Sequence, residues 1–195
     1  MLCAKSCLQI TYTGCMPVTD PSVPVLDLTA SSPELTRQIC DIESVSGNEQ
    51  RLADAVETAL SGFSHLEVIR DADAVVARTN GGKAQRVVIA GHLDTVPVNA
   101  NLPTTLEMID GEEHLVGRGT VDMKGAVAIA LKLAGELVDP AVDVTWIFYD
   151  HEEVAAELNG LGRIARNRPD LMVGDFAIIG EPSNSTVEGG CNGTA

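Results

Sequence analysis

Four short segments of this chain carry the residue types that metal-assisted hydrolysis needs. They are Gly91-His92-Leu93-Asp94-Thr95-Val96-Pro97, Gly117-Arg118-Gly119-Thr120-Val121-Asp122-Met123-Lys124-Gly125, Tyr149-Asp150-His151-Glu152-Glu153 and Ile179-Gly180-Glu181-Pro182. Most of them follow an apolar run read as a β-strand, where α/β folds build their sites. The candidate functional groups among them are one imidazole, His92, and the carboxylates Asp94, Asp122, Glu152, Glu153 and Glu181. One imidazole with several carboxylates is the kind of ligand set that a hydrolytic zinc pair uses.

Each segment also has a simpler reading. Asp122 stands just before a predicted helix, where its two oxygens could bridge two cations or merely cap the helix. Glu152 and Glu153 repel each other unless a cation or a proton intervenes. In an extended segment adjacent side chains point to opposite sides, so one can bind metal while the other addresses a water. An exposed helix N-terminus would tolerate the same two acids. His92 and Asp94, two residues apart, would share a face of a strand, so that Asp94 could orient the imidazole ring. Alone, His92 could equally be a structural polar residue, and Gly180-Glu181-Pro182 a turn.

The elements that must position these groups follow from periodicity and punctuation. Ser31-Ser32-Pro33-Glu34 is a helix start with a cap and a first-turn proline, followed by Leu35, Ile39 and Ile42 at helical spacing. A turn at Ser44-Val45-Ser46-Gly47-Asn48-Glu49 leads into a second helix with Leu52, Val56 and Leu60 on one face. Residues 66–70 and 74–78 read as two strands before a turn at Thr79-Asn80-Gly81-Gly82. Residues 86–90, 142–149 and 175–179 are apolar runs of the buried-strand kind, delivering His92, Glu152 with Glu153, and Glu181. Residues 107–115 are polar and read as a loop or hairpin, while 124–137 and 159–168 read as helices. Strands alternating with helices predict an α/β layered sheet. Residues 1–30, with Pro17, Pro21 and Pro24, are expected to be a disordered or extended lead-in, of which 1–15 could precede a start at Met16; residues 31–195 are expected to form one domain.

Composition excludes several functions. The chain has 195 residues, a formal net charge of −15 and only 3% aromatic residues. This charge opposes nucleic acid and anionic membrane surfaces, and few aromatics are available to stack on bases. No run approaches the roughly 18 apolar residues of a membrane span. Cys3, Cys7, Cys15, Cys40 and Cys191 are odd in number and irregular in spacing, which fits free thiols in a cytoplasmic protein better than a disulfide frame or a structural zinc site.

The order and spacing of the four segments are more specific than any one of them. From about Leu35 onward the sequence resembles the co-catalytic zinc amidohydrolases, a family that includes succinyl-diaminopimelate desuccinylases, acetylornithine deacetylases, carboxypeptidase G2-like enzymes and aminoacylases. Residues 91–98, Asn101-Leu102-Pro103, residues 148–153, Asn159-Gly160-Leu161-Gly162-Arg163, residues 180–183 and the closing residues 188–194 look most like the actinobacterial desuccinylase branch. The resemblance implies a zinc-peptidase-like α/β catalytic domain with a mixed central sheet flanked by helices. It also implies roles: His92 and Glu181 on one zinc, Glu153 on the other, Asp122 bridging them, Glu152 as general base and Asp94 tuning His92. A zinc pair about 3.5–4 Å apart would acidify a water and polarise the amide of a small acyl-amino-acid substrate. Cobalt or manganese could replace zinc, since such ligand sets choose weakly among these metals. A cis peptide after the bridging aspartate, here Asp122–Met123, is implied too.

The resemblance also raises an expectation of incompleteness. In the family a distant histidine completes the second zinc, and a lid that also forms the homodimer contacts is inserted between the halves of the catalytic domain. His65, His114 and His151 do not match that histidine. The chain is therefore expected to be the N-terminal part of a catalytic domain, truncated before the lid. Two functions stay open: hydrolysis of N-succinyl-LL-2,6-diaminopimelate or a related acyl-amino acid, and a non-catalytic fragment binding at most one zinc.

Overall fold

The computed structural model describes residues 22–184 together with 186, 187 and 189. The expectations for residues 1–21, for Cys191 and for most of the closing 188–194 segment lie outside these residues. Helix α1 (Ser32–Cys40) starts where the cap pattern predicts: the Ser31 hydroxyl accepts from the Glu34 amide at 3.4 Å, and Leu35 and Ile39 are buried. Helix α2 (Gln50–Ser61) buries Leu52, Val56 and Leu60 on its predicted face. Next come β1 (Glu67–Asp71), β2 (Ala74–Arg78), β3 (Arg86–His92), the pair β4 (Thr105–Ile109) and β5 (Glu112–Val116), α3 (Lys124–Glu136), β6 (Asp143–Tyr149), α4 (Gly160–Asn167) and β7 (Phe176–Ile179).

The main sheet is mixed, in the order β1-β2-β6-β3-β7. Strands β1, β2 and β6 pair antiparallel, whereas β3 pairs parallel with both β6 and β7. Strand β6 lies at the centre and all seven of its residues are buried. Its side chains alternate between two cores, as the pleat requires. Val144, Trp146 and Phe148 pack with residues of α1, α2 and α3, while Ile147 and Tyr149 pack with Ile164 of α4 and Leu171. Strands β4 and β5 form a separate hairpin, one of the two forms predicted for that segment. Within the expected lead-in, Leu26 and Leu28 are buried in the first core.

Strand β7 departs from expectation. Its apolar run predicts a buried strand, yet all four residues are exposed, Phe176 by 64%. The reason is position: among the described residues β7 pairs with β3 alone and forms the edge of the sheet, and a run of Phe, Ala and Ile does not say whether anything covers it. No described helix is long and apolar enough to cross a membrane.

Cys40 is fully buried, and burial pushes its thiol up to about 11. The thiolate is the reactive form, so Cys40 is inert while the chain is folded. Iodoacetamide at mildly alkaline pH is expected to leave Cys40 unmodified in buffer and to alkylate it in denaturant, as peptide mapping by mass spectrometry would show.

Candidate metal centre

The C-terminal ends of the parallel strands β3 and β6 and of the adjacent β7 bring the candidate groups together. His92 is the last residue of β3. Glu152 and Glu153 lie in the turn after β6, Glu181 lies two residues past β7, and Asp122 stands just before α3. Candidate ligand atoms of His92, Asp122 and Glu153 all lie within 4.8 Å of one another, a group able to hold a metal ion. His92 Nε2 is 3.2 Å from Asp122 Oδ1 and 3.8 Å from Glu181 Oε1. The His92 side chain is buried, whereas those of Asp122 and Glu181 are about half exposed. The Asp122–Met123 peptide is cis.

The other face of the imidazole is held by the main chain. His92 Nδ1 lies 2.9 Å from the Asp94 carbonyl oxygen. A carbonyl can only accept, so Nδ1 donates to it, and Nε2 is the nitrogen that faces the carboxylates, protonated while they are its partners and available to a metal once that proton leaves. The Asp94 carboxylate is 3.5 Å from Nδ1 and takes its hydrogen bonds elsewhere. Oδ1 accepts from the Glu152 amide at 2.9 Å, and Oδ2 accepts from the Glu153 amide at 3.0 Å and the Ser46 hydroxyl at 2.6 Å. Strand β3 ends at His92, so the two residues do not share a strand face; Asp94 lies past the strand and ties the glutamate turn to the ring.

The electrostatics record a concentration of negative charge. Burial pushes the Asp94 carboxyl up, but the His92 imidazole beside it and its hydrogen bonds from Ser46 and the two amides outweigh this and hold it down at about 2. Burial pushes His92 down, and Asp94 and Glu181 overcome that, raising it to about 9. Glu153 and Glu181 are raised, first by burial and then by neighbouring carboxylates, against the lowering effect of His92. Carboxyls that resist ionisation together around an imidazole that holds a proton are what a cation would relieve, so the donor set fits a divalent metal.

Behind the cluster, Lys124 is buried and donates from Nζ to the carbonyls of Ile39 and Ile42 at 3.3 and 2.9 Å, tying α3 to the end of α1. Gly119 has a φ of +82°, and a Cβ there would stand 3.0 Å from both Lys124 and Thr95. A cleft of about 260 Å³ lined by Thr95, Arg118, Thr120, Asp122 and Glu153 adjoins the cluster. A larger one, about 420 Å³, lies where β6 begins and contains none of the candidate ligands.

Sequence reasoning gives Ser46 and Glu49 no role beyond a turn. Yet Ser46 bonds to Asp94, and the fully buried Glu49 carboxylate accepts from the Gly47 amide at 2.9 Å and the His151 amide at 3.2 Å. The sequence signal is faint: a serine and a glutamate beside a glycine, close to where α2 starts.

Comparison with known proteins places this arrangement. The fold matches that of a metallo-carboxypeptidase, Sso-CP2 of Sulfolobus solfataricus, with a TM-score of 0.62 and 18% identity over 77% of this chain and 37% of that one. An α/β metallopeptidase-like fold, with acids and His92 gathered at the strand ends, is thus the class to which the molecule conforms. The chain belongs to peptidase family M20/M25/M40, whose sequence profile matches residues 88–192. It is 48% identical, over 87% of its length, to a Mycobacterium tuberculosis protein provisionally named succinyl-diaminopimelate desuccinylase DapE. It is 43% identical, again over 87%, to the succinyl-diaminopimelate desuccinylase of Corynebacterium glutamicum. The chain spans about half the length of these curated relatives, 47% and 46% respectively.

Proposed function

We propose that this chain carries the metal-binding half of a hydrolase that cleaves the amide of N-succinyl-LL-2,6-diaminopimelate, releasing succinate and LL-2,6-diaminopimelate. The observation that carries the reading is the 48% identity to the mycobacterial relative across a stretch that includes the His92, Asp122 and Glu153 cluster. His92 and Glu181 would hold one zinc, Glu153 another, and Asp122 would bridge the two. Zinc supplies Lewis acidity there, making water a nucleophile at neutral pH and polarising the amide carbonyl.

The chain's own residues do the rest. Asp94 holds the Glu152–Glu153 turn by its two amides and fixes the imidazole proton on Nδ1 through its carbonyl. Glu153 faces His92 and Asp122 as a ligand, which leaves Glu152 free to act as general base. Glu152 would take a proton from the attacking water and deliver it to the departing amine. Hydrolysis, a cytoplasmic location and a homodimer are proposed for a protein of the relatives' length.

The test is zinc content, measured by plasma mass spectrometry, together with succinate release from the succinylated substrate and acetate release from N-acetylornithine. Bound zinc with preferential succinate release is the expected result. Zinc with acetate release would move the substrate assignment to the deacetylases, and a chain that binds no zinc would overturn the metal centre.

A further inference from the structure

The segment Asn159-Gly160-Leu161-Gly162-Arg163 has no part in the proposed chemistry, yet the structure ties it to the glutamate turn. Asn159 caps α4, its side chain accepting from the Gly162 amide at 3.1 Å. Gly160 lies against Asp150: its amide donates to the Asp150 carbonyl at 2.8 Å, and a Cβ on Gly160 would sit 2.3 Å from Asp150 Oδ1. A larger residue there would displace the carboxylate. One turn further along α4, Arg163 reaches back and grips Asp150 with both terminal nitrogens, Nη1 to Oδ2 at 3.0 Å and Nη2 to Oδ1 at 2.7 Å. The same guanidinium anchors on β1, Nε to Asp71 Oδ1 at 2.6 Å and Nη2 to the Asp71 carbonyl at 2.9 Å.

The clamp continues into the turn. Asp150 Oδ2 lies 2.7 Å from His151 Nδ1, and the His151 amide donates to the buried Glu49 carboxylate. His151 has a φ of +59°, a conformation that few non-glycine residues adopt without outside support. The four-residue turn is therefore held on one side by Asp94 and on the other by Asp150, Glu49 and Arg163. A forked guanidinium bound to a carboxylate is geometrically specific, which suits fixing a position.

We propose that Arg163 is a positioning residue that, through Asp150, sets where Glu152 and Glu153 stand. The inference rests on the reading of Glu152 as base and Glu153 as metal ligand. Losing a group hydrogen-bonded to a metal ligand typically changes metal affinity or activity by about 10–100-fold; Arg163 reaches Glu153 only through Asp150 and the backbone, so the effect belongs at the low end of that range.

The experiment uses the full chain as wild type, Arg163→Ala and Arg163→Lys, with zinc affinity from calorimetry and amide hydrogen exchange at residues 152 and 153. Arg163→Ala is expected to weaken zinc by about tenfold and to speed exchange at these two amides more than elsewhere. Guanidinium ion is expected to restore both, and Lys, which lacks the fork, to restore them only in part. A folded Arg163→Ala chain with unchanged zinc affinity and unchanged exchange at 152 and 153 overturns the proposal. If Arg163→Ala fails to fold because Asp150 is left buried and unpaired, the Asp150→Asn/Arg163→Gln double variant carries the same expectations and the same overturning result. Wild-type chain that binds no zinc, with local exchange still altered by Arg163→Ala, would sink the metal-centre reading and leave the positioning role standing.

Discussion

Replacing Glu152 with Ala is expected to lower kcat for amide hydrolysis by about 10²–10⁴-fold while leaving bound zinc unchanged. The proposed division of work between the two adjacent glutamates follows from which of them joins the cluster. Glu153 has a carboxylate oxygen in the group formed with His92 and Asp122, whereas Glu152 is outside that group. Both are held by their amides to Asp94, so truncating the Glu152 side chain does not release the turn. Glu153→Ala is the contrasting variant and should lose zinc. Kinetics and metal content measured on the same preparations, in a protein of the relatives' length, decide the matter. Full activity in Glu152→Ala would assign the base to another group, and loss of zinc there would make Glu152 a ligand.

Asp94→Ala is the second large effect, and it acts on stability and metal together. The Asp94 carboxylate is buried and accepts from the amides of Glu152 and Glu153 and from the Ser46 hydroxyl. Removing it leaves two amides without their acceptor and the Ser46 hydroxyl with only the Thr95 carbonyl at 3.5 Å. Each buried group left without a partner costs about 1–3 kcal/mol, so for the two amides a loss of about 2–6 kcal/mol is expected in urea denaturation. Zinc affinity should fall as well, because the stance of Glu153 depends on this carboxylate, even though the carbonyl that holds the His92 ring proton is retained. Asp94→Asn should recover part of the stability, since its remaining oxygen can still accept from one amide while its nitrogen faces the other. An Ala variant as stable as wild type would show that the turn finds its geometry without Asp94.

Much of the fold could be read from local pattern. The cap at Ser31 with Pro33, the spacing of Leu52, Val56 and Leu60, and the β-rich runs before His92 and Glu152 each depend on residues within a turn or a strand of one another. The observed elements follow them closely. The candidate ligands were also visible, because metal chemistry restricts the residue types and the strand ends restrict where they fall.

The contacts that make the site specific were not visible. Whether the apolar run of β7 is covered depends on what lies beside it in the sheet, and β7 proved to be an exposed edge. Asp94 has a natural neighbour in His92 two residues away, but its carboxylate goes to amides 58 and 59 residues along the chain. Arg163 and Asp71, separated by 92 residues, meet only because α4 packs against the sheet at the end where the turn after β6 emerges. The sequence by itself determined the elements and the stock of ligand types, which are properties of neighbouring residues and their chemistry. Tertiary structure alone decided which carboxylate accepts from which donor and which strand is left at the edge, because a hydrogen bond is made by distance and direction in space, and neither is recorded in the order of residues.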